Sequence, residues 1–143
     1  MTDMADILDY EDLNVPGPTA TALSQPFWDA AAEGRLILQR CLACERAVFY
    51  PRAICPHCWS DALAWQEASG SGRLRTWSII ERSAHPAWQA VAPYAIGIVA
   101  LEEGPTMLSH ILGDRDGFAL DAPMRVRFVM VAGRSLPFFE IST

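Results

Sequence analysis

The chain contains no lysine: all 11 of its basic residues are arginine, set against 17 acids. With a net charge of -6 and no strongly basic segment, it offers little to a polyphosphate backbone, which counts against a general nucleic-acid binder. No apolar run approaches the roughly 18 residues of a membrane-spanning helix. The opening stretch, MTDMADILDYEDLN, is acidic and lacks the basic start and apolar middle of a secretory leader, so the chain reads as cytoplasmic and free of the membrane. The G-x-S-x-G elbow, the P-loop and the G-x-G-x-x-G fingerprint are all missing. His85 and His110 stand alone and read as a loop or satisfied strand histidine, and the pairs Glu102/Glu103 and Asp114/Asp116 read as turn solvation. No catalytic set is legible, so the chain reads as having no activity by itself.

What is present divides into three parts. Residues 1–23 form an acidic arm with five acids and no base, punctuated by Pro16, Gly17 and Pro18. It reads either as a mobile tail or as a docking segment using Ile7, Leu8, Tyr10 and Leu13. Residues 24–68 hold a short helix and all four cysteines. Ser24 is placed to cap that helix, Pro26 suits its first turn, and Gly34 suits its end. Phe27 and Ala31, four apart, share a face.

Residues 69–143 begin at Ser69-Gly70-Ser71-Gly72, read as a flexible break and the domain boundary. Five strand-like runs follow, at about 73–83, 94–102, 105–112, 124–131 and 137–141. Glu103-Gly104 is spaced to join the second and third as a hairpin. Gly97 suggests a bend or bulge, and broken alternation at Trp77-Ser78-Ile79-Ile80 predicts a curved or bulged first strand. The loop 113–123 is too short for a crossover helix, which favours antiparallel connections. The fold class is therefore mainly β: a helix, a cysteine ribbon, and a five-stranded barrel of the OB type, with a sandwich as the alternative. The apolar loop 84–93 either folds Trp88 back over the barrel or acts as a lid or partner contact.

The chemistry-bearing pattern is Cys41-Leu42-Ala43-Cys44, ten residues, then Cys55-Pro56-His57-Cys58. Two residues between cysteines let both thiolates of a tight turn reach one ion, and two such turns complete a tetrahedral four-sulfur shell. Disulfides do not suit a cytoplasmic chain. A redox dithiol at Cys55-Pro56-His57-Cys58 needs a strand before it and a helix opening at its first cysteine, whereas here it follows Pro51 and a matching pair. Zinc is the expected ion, and iron in the same shell stays open. Four thiolates leave no vacant position, so the metal is structural and staples a module too small for its own core. His57 is expected to point away from the ion.

Several strings occur in order: Phe27-Trp28, Gly34-Arg35-Leu36-Ile37-Leu38-Gln39-Arg40-Cys41, the two cysteine pairs, Ser69-Gly70-Ser71-Gly72, Pro93-Tyr94, and Val99-Ala100-Leu101-Glu102-Glu103-Gly104-Pro105. Across about residues 26–141 the chain resembles the family that joins a rubredoxin-like zinc ribbon to an OB-fold, long known as a domain of unknown function. The resemblance implies a non-catalytic accessory subunit of a thiolase-like enzyme (thiolase, hydroxymethylglutaryl-CoA synthase or thiolase-type aldolase) that helps to bind acyl-CoA and assemble the complex. Catalytic residues would then sit on the partner. Knuckles of this kind usually carry Gly after the second Cys of each pair, where Glu45 and Trp59 stand here. One alternative is a single-stranded nucleic-acid binder using Trp77, Tyr94 and Phe128 for stacking and Arg73, Arg75, Arg125 and Arg127 for phosphate. A one-electron carrier with iron in the four-sulfur site is another. Arg82, Arg125 and Arg127 are candidates for CoA phosphates, with nothing to select them over solvated surface.

Overall fold

The computed structural model describes Tyr10 and residues 13–142. Helix α1 (Gln25–Ala32) is followed by β1 (Ile37–Cys41), β2 (Ala47–Val48) and β3 (Leu63–Glu67), which form a small sheet in the order β2-β1-β3. Next come β4 (Ser71–Ile80), the one-turn helix α2 (Pro86–Gln89), β5 (Tyr94–Leu101), β6 (Thr106–Leu112), a 3-10 turn at Arg115–Gly117, β7 (Pro123–Val131) and β8 (Arg134–Ile141). These five long strands close into a barrel in the order β4-β5-β6-β8-β7. The expected helix and all five barrel strands are present, within a few residues at each end.

Helix α1 buries Phe27, Ala30 and Ala31. Pro26 occupies its first turn, where the missing N–H has no intrahelical partner to lose. Ser24 stands at the N-cap, but its side chain makes no capping bond. Its Oγ accepts from the Thr21 backbone N–H at 2.9 Å, closing a turn ahead of the helix instead. At the other end Gly34 takes φ +76, and the Gly34 and Arg35 N–H groups return to the Ala31 and Ala30 carbonyls.

The barrel register explains the broken alternation in the first strand. β4 pairs with β5 antiparallel, and the pairing slips between Leu74 and Thr76, so Arg75 is the extra residue of a bulge. Gly97 lies on the partner strand, opposite Trp77, and is itself unbulged. Its role is close approach: a Cβ there would lie 2.6 Å from the Thr76 carbonyl and 2.8 Å from Ile111 Cγ1. The β5–β6 hairpin turns at Glu102–Gly104, as its spacing predicts. The expectation of antiparallel neighbours fails at one seam: β6 and β8 pair in parallel, Ile111 with Phe139 and Leu112 with Glu140. A barrel of five strands must bring two strands together that no short loop joins, and loop length carries no information on that contact.

One core runs through both parts of the molecule. Ile37 and Leu38 of β1, Leu36 just ahead of that strand, and Phe27 and Ala30 of α1 share a buried cluster with Leu74, Val99, Ile111, Met124 and Phe139 of the barrel. Ser135 Oγ donates to the Ala31 carbonyl at 2.9 Å, tying β8 to α1. The Ser69–Gly72 stretch is pinned and not loose. The Ser69 N–H donates to Glu103 Oε2 at 2.8 Å, and its hydroxyl donates to Glu102 Oε2 at 2.9 Å. Glu102 and Glu103 therefore clamp the linker, where the sequence suggested turn solvation. A second cluster joins Tyr10, Leu13 and Val15 to Leu112, Val129, Val131 and Phe138. Tyr10 and Leu13 thus pack on the chain's own barrel, while Ile7 and Leu8 lie outside the described residues. No helix among the described residues is long and apolar enough to cross a membrane.

Candidate metal centre

The two Cys-x-x-Cys segments fold as matching knuckles. In the first, the Cys41 N–H donates to the Arg46 carbonyl at 2.9 Å and the Glu45 N–H to the Cys41 carbonyl at 2.8 Å. In the second, the Cys55 N–H donates to the Ser60 carbonyl at 2.8 Å and the Trp59 N–H to the Cys55 carbonyl at 2.9 Å. Each turn demands a left-handed residue after its second cysteine, and Glu45 (φ 66) and Trp59 (φ 67) supply it despite their Cβ atoms. The geometry is therefore not loosened by the missing glycines; the side chains accept the strain.

The fold brings all four predicted ligands together, with every Sγ within 4.8 Å of the others. Cys41 and Cys58 are 3.5 Å apart across the knuckles, and Cys44 and Cys55 are 3.7 Å apart. A tetrahedral ion with metal–sulfur bonds of about 2.3 Å sets sulfur–sulfur edges of about 3.8 Å, so the donor set fits such an ion. Backbone amides also face the sulfurs: the Cys44 N–H points at Cys41 Sγ (3.5 Å) and the His57 N–H at Cys55 Sγ (3.3 Å). The Cys44 N–H is the main reason that the Cys41 thiol is lowered to about 6. At Cys58 the Ser60 N–H acts in the same direction, but Cys41, burial and the other two thiols together push it up to about 12. Four sulfurs at this spacing cannot all carry charge without a cation between them. The His57 ring turns outward, its Nδ1 lying 3.4 Å from Arg46 Nη1.

The ribbon and barrel geometry has close counterparts. The ChsH2 rubredoxin-like zinc ribbon domain matches residues 28–64, and the ChsH2 C-terminal OB-fold domain matches residues 65–129. The chain belongs to this ChsH2 family, also called DUF35. Among DUF35 relatives, a DUF35 domain-containing scaffold protein of Methanothermobacter thermautotrophicus is 36% identical over 51% of this chain and 55% of its own length. A probable enoyl-CoA hydratase alpha subunit of Thermomonospora curvata is 35% identical over 61% of this chain, which spans only 27% of that protein. The solved Ltp2-ChsH2(DUF35) aldolase matches with a TM-score of 0.78 at 27% identity, over 89% of this chain and 100% of that one. A DUF35 protein of unknown function from Sulfolobus solfataricus matches at TM-score 0.61 and 14% identity, covering 96% and 92%, and shares the fold.

Two features of this DUF35 chain escaped sequence reasoning. His110, read as an ordinary strand histidine, sits inside a cage of four aromatic rings, its buried Nδ1 without a hydrogen-bond partner among the described residues. Burial lowers its pKa to about 4. Trp88 folds back into the same cage, the first of the two outcomes foreseen for loop 84–93. Beside it, at the barrel mouth, lies a cavity of about 400 Å³ lined by Ile79, Val91, Tyr94, Ile111 and Phe118 among others. The aromatics Trp88, Tyr94 and Phe138 were visible in the sequence, but only the topology stacks them. His85 has a local task, accepting the Ala87 N–H at its Nδ1 to cap α2.

Proposed function

We propose that this chain is a non-catalytic accessory subunit of a thiolase-like enzyme, whether thiolase, hydroxymethylglutaryl-CoA synthase or thiolase-type aldolase, and that it helps to bind acyl-CoA and to hold the assembly together. The observation that carries this reading is the match, along the whole of the counterpart chain, to the Ltp2-ChsH2(DUF35) aldolase. The scaffold-protein and hydratase-subunit relatives support it from two further directions. The residues agree: His57 and His85 engage backbone and neighbours, His110 is enclosed, and all four cysteines converge on one point.

Cys41, Cys44, Cys55 and Cys58 would hold zinc, which supplies a cross-link and no reaction chemistry because four thiolates complete its shell. This chain's own contribution is to hold those sulfurs on two rigid turns and to couple them to the barrel through β1.

The nucleic-acid alternative asks for aromatic faces beside free arginines. Tyr94 stacks on His110, and Trp77 packs edge-on to Phe118. Arg75 pairs with Asp121, and Arg127 with Glu140. These groups serve the fold, so the subunit reading is preferred.

Affinity capture of the tagged chain from its native lysate, with mass spectrometry, tests the reading. The expected outcome is stoichiometric recovery of a thiolase-like protein whose activity on an acyl-CoA falls at least tenfold once the chain is removed. A chain that stays monomeric, captures no such protein and binds no CoA ester overturns it.

A further inference from the structure

We propose that His110 is a proton-sensitive latch, which holds Tyr10 and α2 closed over the barrel mouth and loosens both when it is protonated. The imidazole projects from β6 into rings drawn from four separate parts of the chain. Phe138 of β8 stacks on it at 4.6 Å and 12°. Tyr94 of β5 lies at 4.9 Å and 23°, and Trp88 of α2 at 4.8 Å and 31°. Tyr10 meets it edge-on at 5.9 Å and 88°. Tyr10 also touches Trp88 and Phe138, so the histidine is the common contact of the N-terminal segment, the loop helix and the barrel wall.

The surroundings suit a neutral ring: among the described residues they offer a cation ring faces but no carboxylate. Among the described residues, the buried Nδ1 has no hydrogen-bond partner and no carboxylate forms an ion pair with His110. The titratable groups on the packed elements are Tyr10 on the N-terminal segment, Tyr94 on β5, His85 at the start of α2, and Arg134 and Glu140 on β8, with the Arg134 side chain lying against Gly17. Tyr94 donates to Ser83 Oγ, His85 accepts from Ala87, and Glu140 is tied to Arg127. Asp9, Glu11 and Asp12 flank Tyr10 in sequence and lie outside the described residues.

The direction follows from linkage. In the closed state burial lowers the His110 pKa to about 4; once the cage opens, the ring returns to its ordinary value of about 6.5. Protons therefore bind the open state preferentially, and the opening constant grows about tenfold between pH ~7.5 and pH ~5.5. Tyr10 and residues 90–94 also line the cavity at the barrel mouth, so opening the latch widens the way into it.

Amide exchange by NMR on the full chain reads this directly. The probes are the Leu13 N–H (bonded to Tyr10 O), the Trp88 N–H (to His85 O) and the Val91 N–H (to Trp88 O). After correction for intrinsic rates, their protection falls about tenfold from pH ~7.5 to ~5.5, while β1 and β3 amides do not change. His110→Phe fills the cage with a ring that does not titrate and flattens the profile; His85→Asn, which keeps a capping side chain, leaves it as in the wild type. Protection that does not depend on pH, or an equal dependence in His110→Phe, overturns the latch. Should His110→Phe fail to fold, the imidazole titration of the wild type decides. A pKa near 4 supports the proposal, and a value at or above 6.5, as expected if the ring faces held the cation, refutes it.

Discussion

Replacing Glu45 or Trp59 by glycine should make the protein more stable, although each change deletes a side chain. Both residues sit at φ near +66, where an L side chain brings its Cβ against the backbone at a cost of about 1–2 kcal/mol. Glycine escapes that cost but gives up about 0.5–1 kcal/mol in unfolded-state entropy. Little packing is lost, because Trp59 is 80% exposed and Glu45 is also at the surface. The net gain is about 0.5–1 kcal/mol per site, or ~2–4 °C in Tm. Alanine is the decisive control. Glu45→Ala and Trp59→Ala remove the same functional atoms but keep the Cβ, so they should not stabilise. Urea unfolding monitored by circular dichroism, at a fixed excess of zinc because metal binding is linked to folding, measures all four variants. Glycine variants that unfold at or below the midpoint of their alanine counterparts would show that the left-handed turns carry no strain.

Purified protein should contain one zinc per chain, and Cys41→Ala or Cys58→Ala should abolish it, as read by elemental analysis; an iron-bearing or metal-free product contradicts the assignment. Glu103→Ala frees the Ser69 N–H and should cost about 1 kcal/mol, measured as a lower urea midpoint, with faster amide exchange at residues 69–72. Gly97→Ala drives a methyl to within 2.6 Å of the Thr76 carbonyl and should cost at least ~2 kcal/mol, checked by thermal unfolding. Folding stability as a whole should fall from pH ~6.5 to pH ~4. His110 is held neutral in the native state but protonates in the unfolded chain, a difference of about 3 kcal/mol once both have titrated. Calorimetry of wild type against His110→Phe measures that part.

The sequence disclosed features whose cause is local. Paired cysteines two residues apart define a knuckle wherever they occur, and the alternation Met124, Val126, Phe128 marks a strand without reference to its neighbours. Even the unusual turn residues were legible, since the position after each second cysteine must be left-handed whatever stands there. Features made by contact between distant segments were hidden. The parallel β6–β8 seam depends on barrel closure, and the Ser69 clamp depends on a hairpin turn more than 30 positions away. Ser24 was misread for a related reason: its hydroxyl found Thr21 before the helix, and composition cannot rank two acceptable bonds. His110 is the strongest case, since its cage comes from residues 10, 88, 94 and 138, and each aromatic alone looks like ordinary core.

The ribbon and the barrel are mechanically one object, and β1 is the reason. Within five residues it carries Leu38, fully buried in the common core, and Cys41, fully buried at the sulfur cluster. β1 also bonds β2 on one side and β3 on the other, so both knuckles hang from its end. A strand fixed at one end by apolar packing and at the other by a four-sulfur shell cannot loosen at either without disturbing its opposite end. The Ser69 clamp and the Ser135–Ala31 bond add cross-ties between the same two parts.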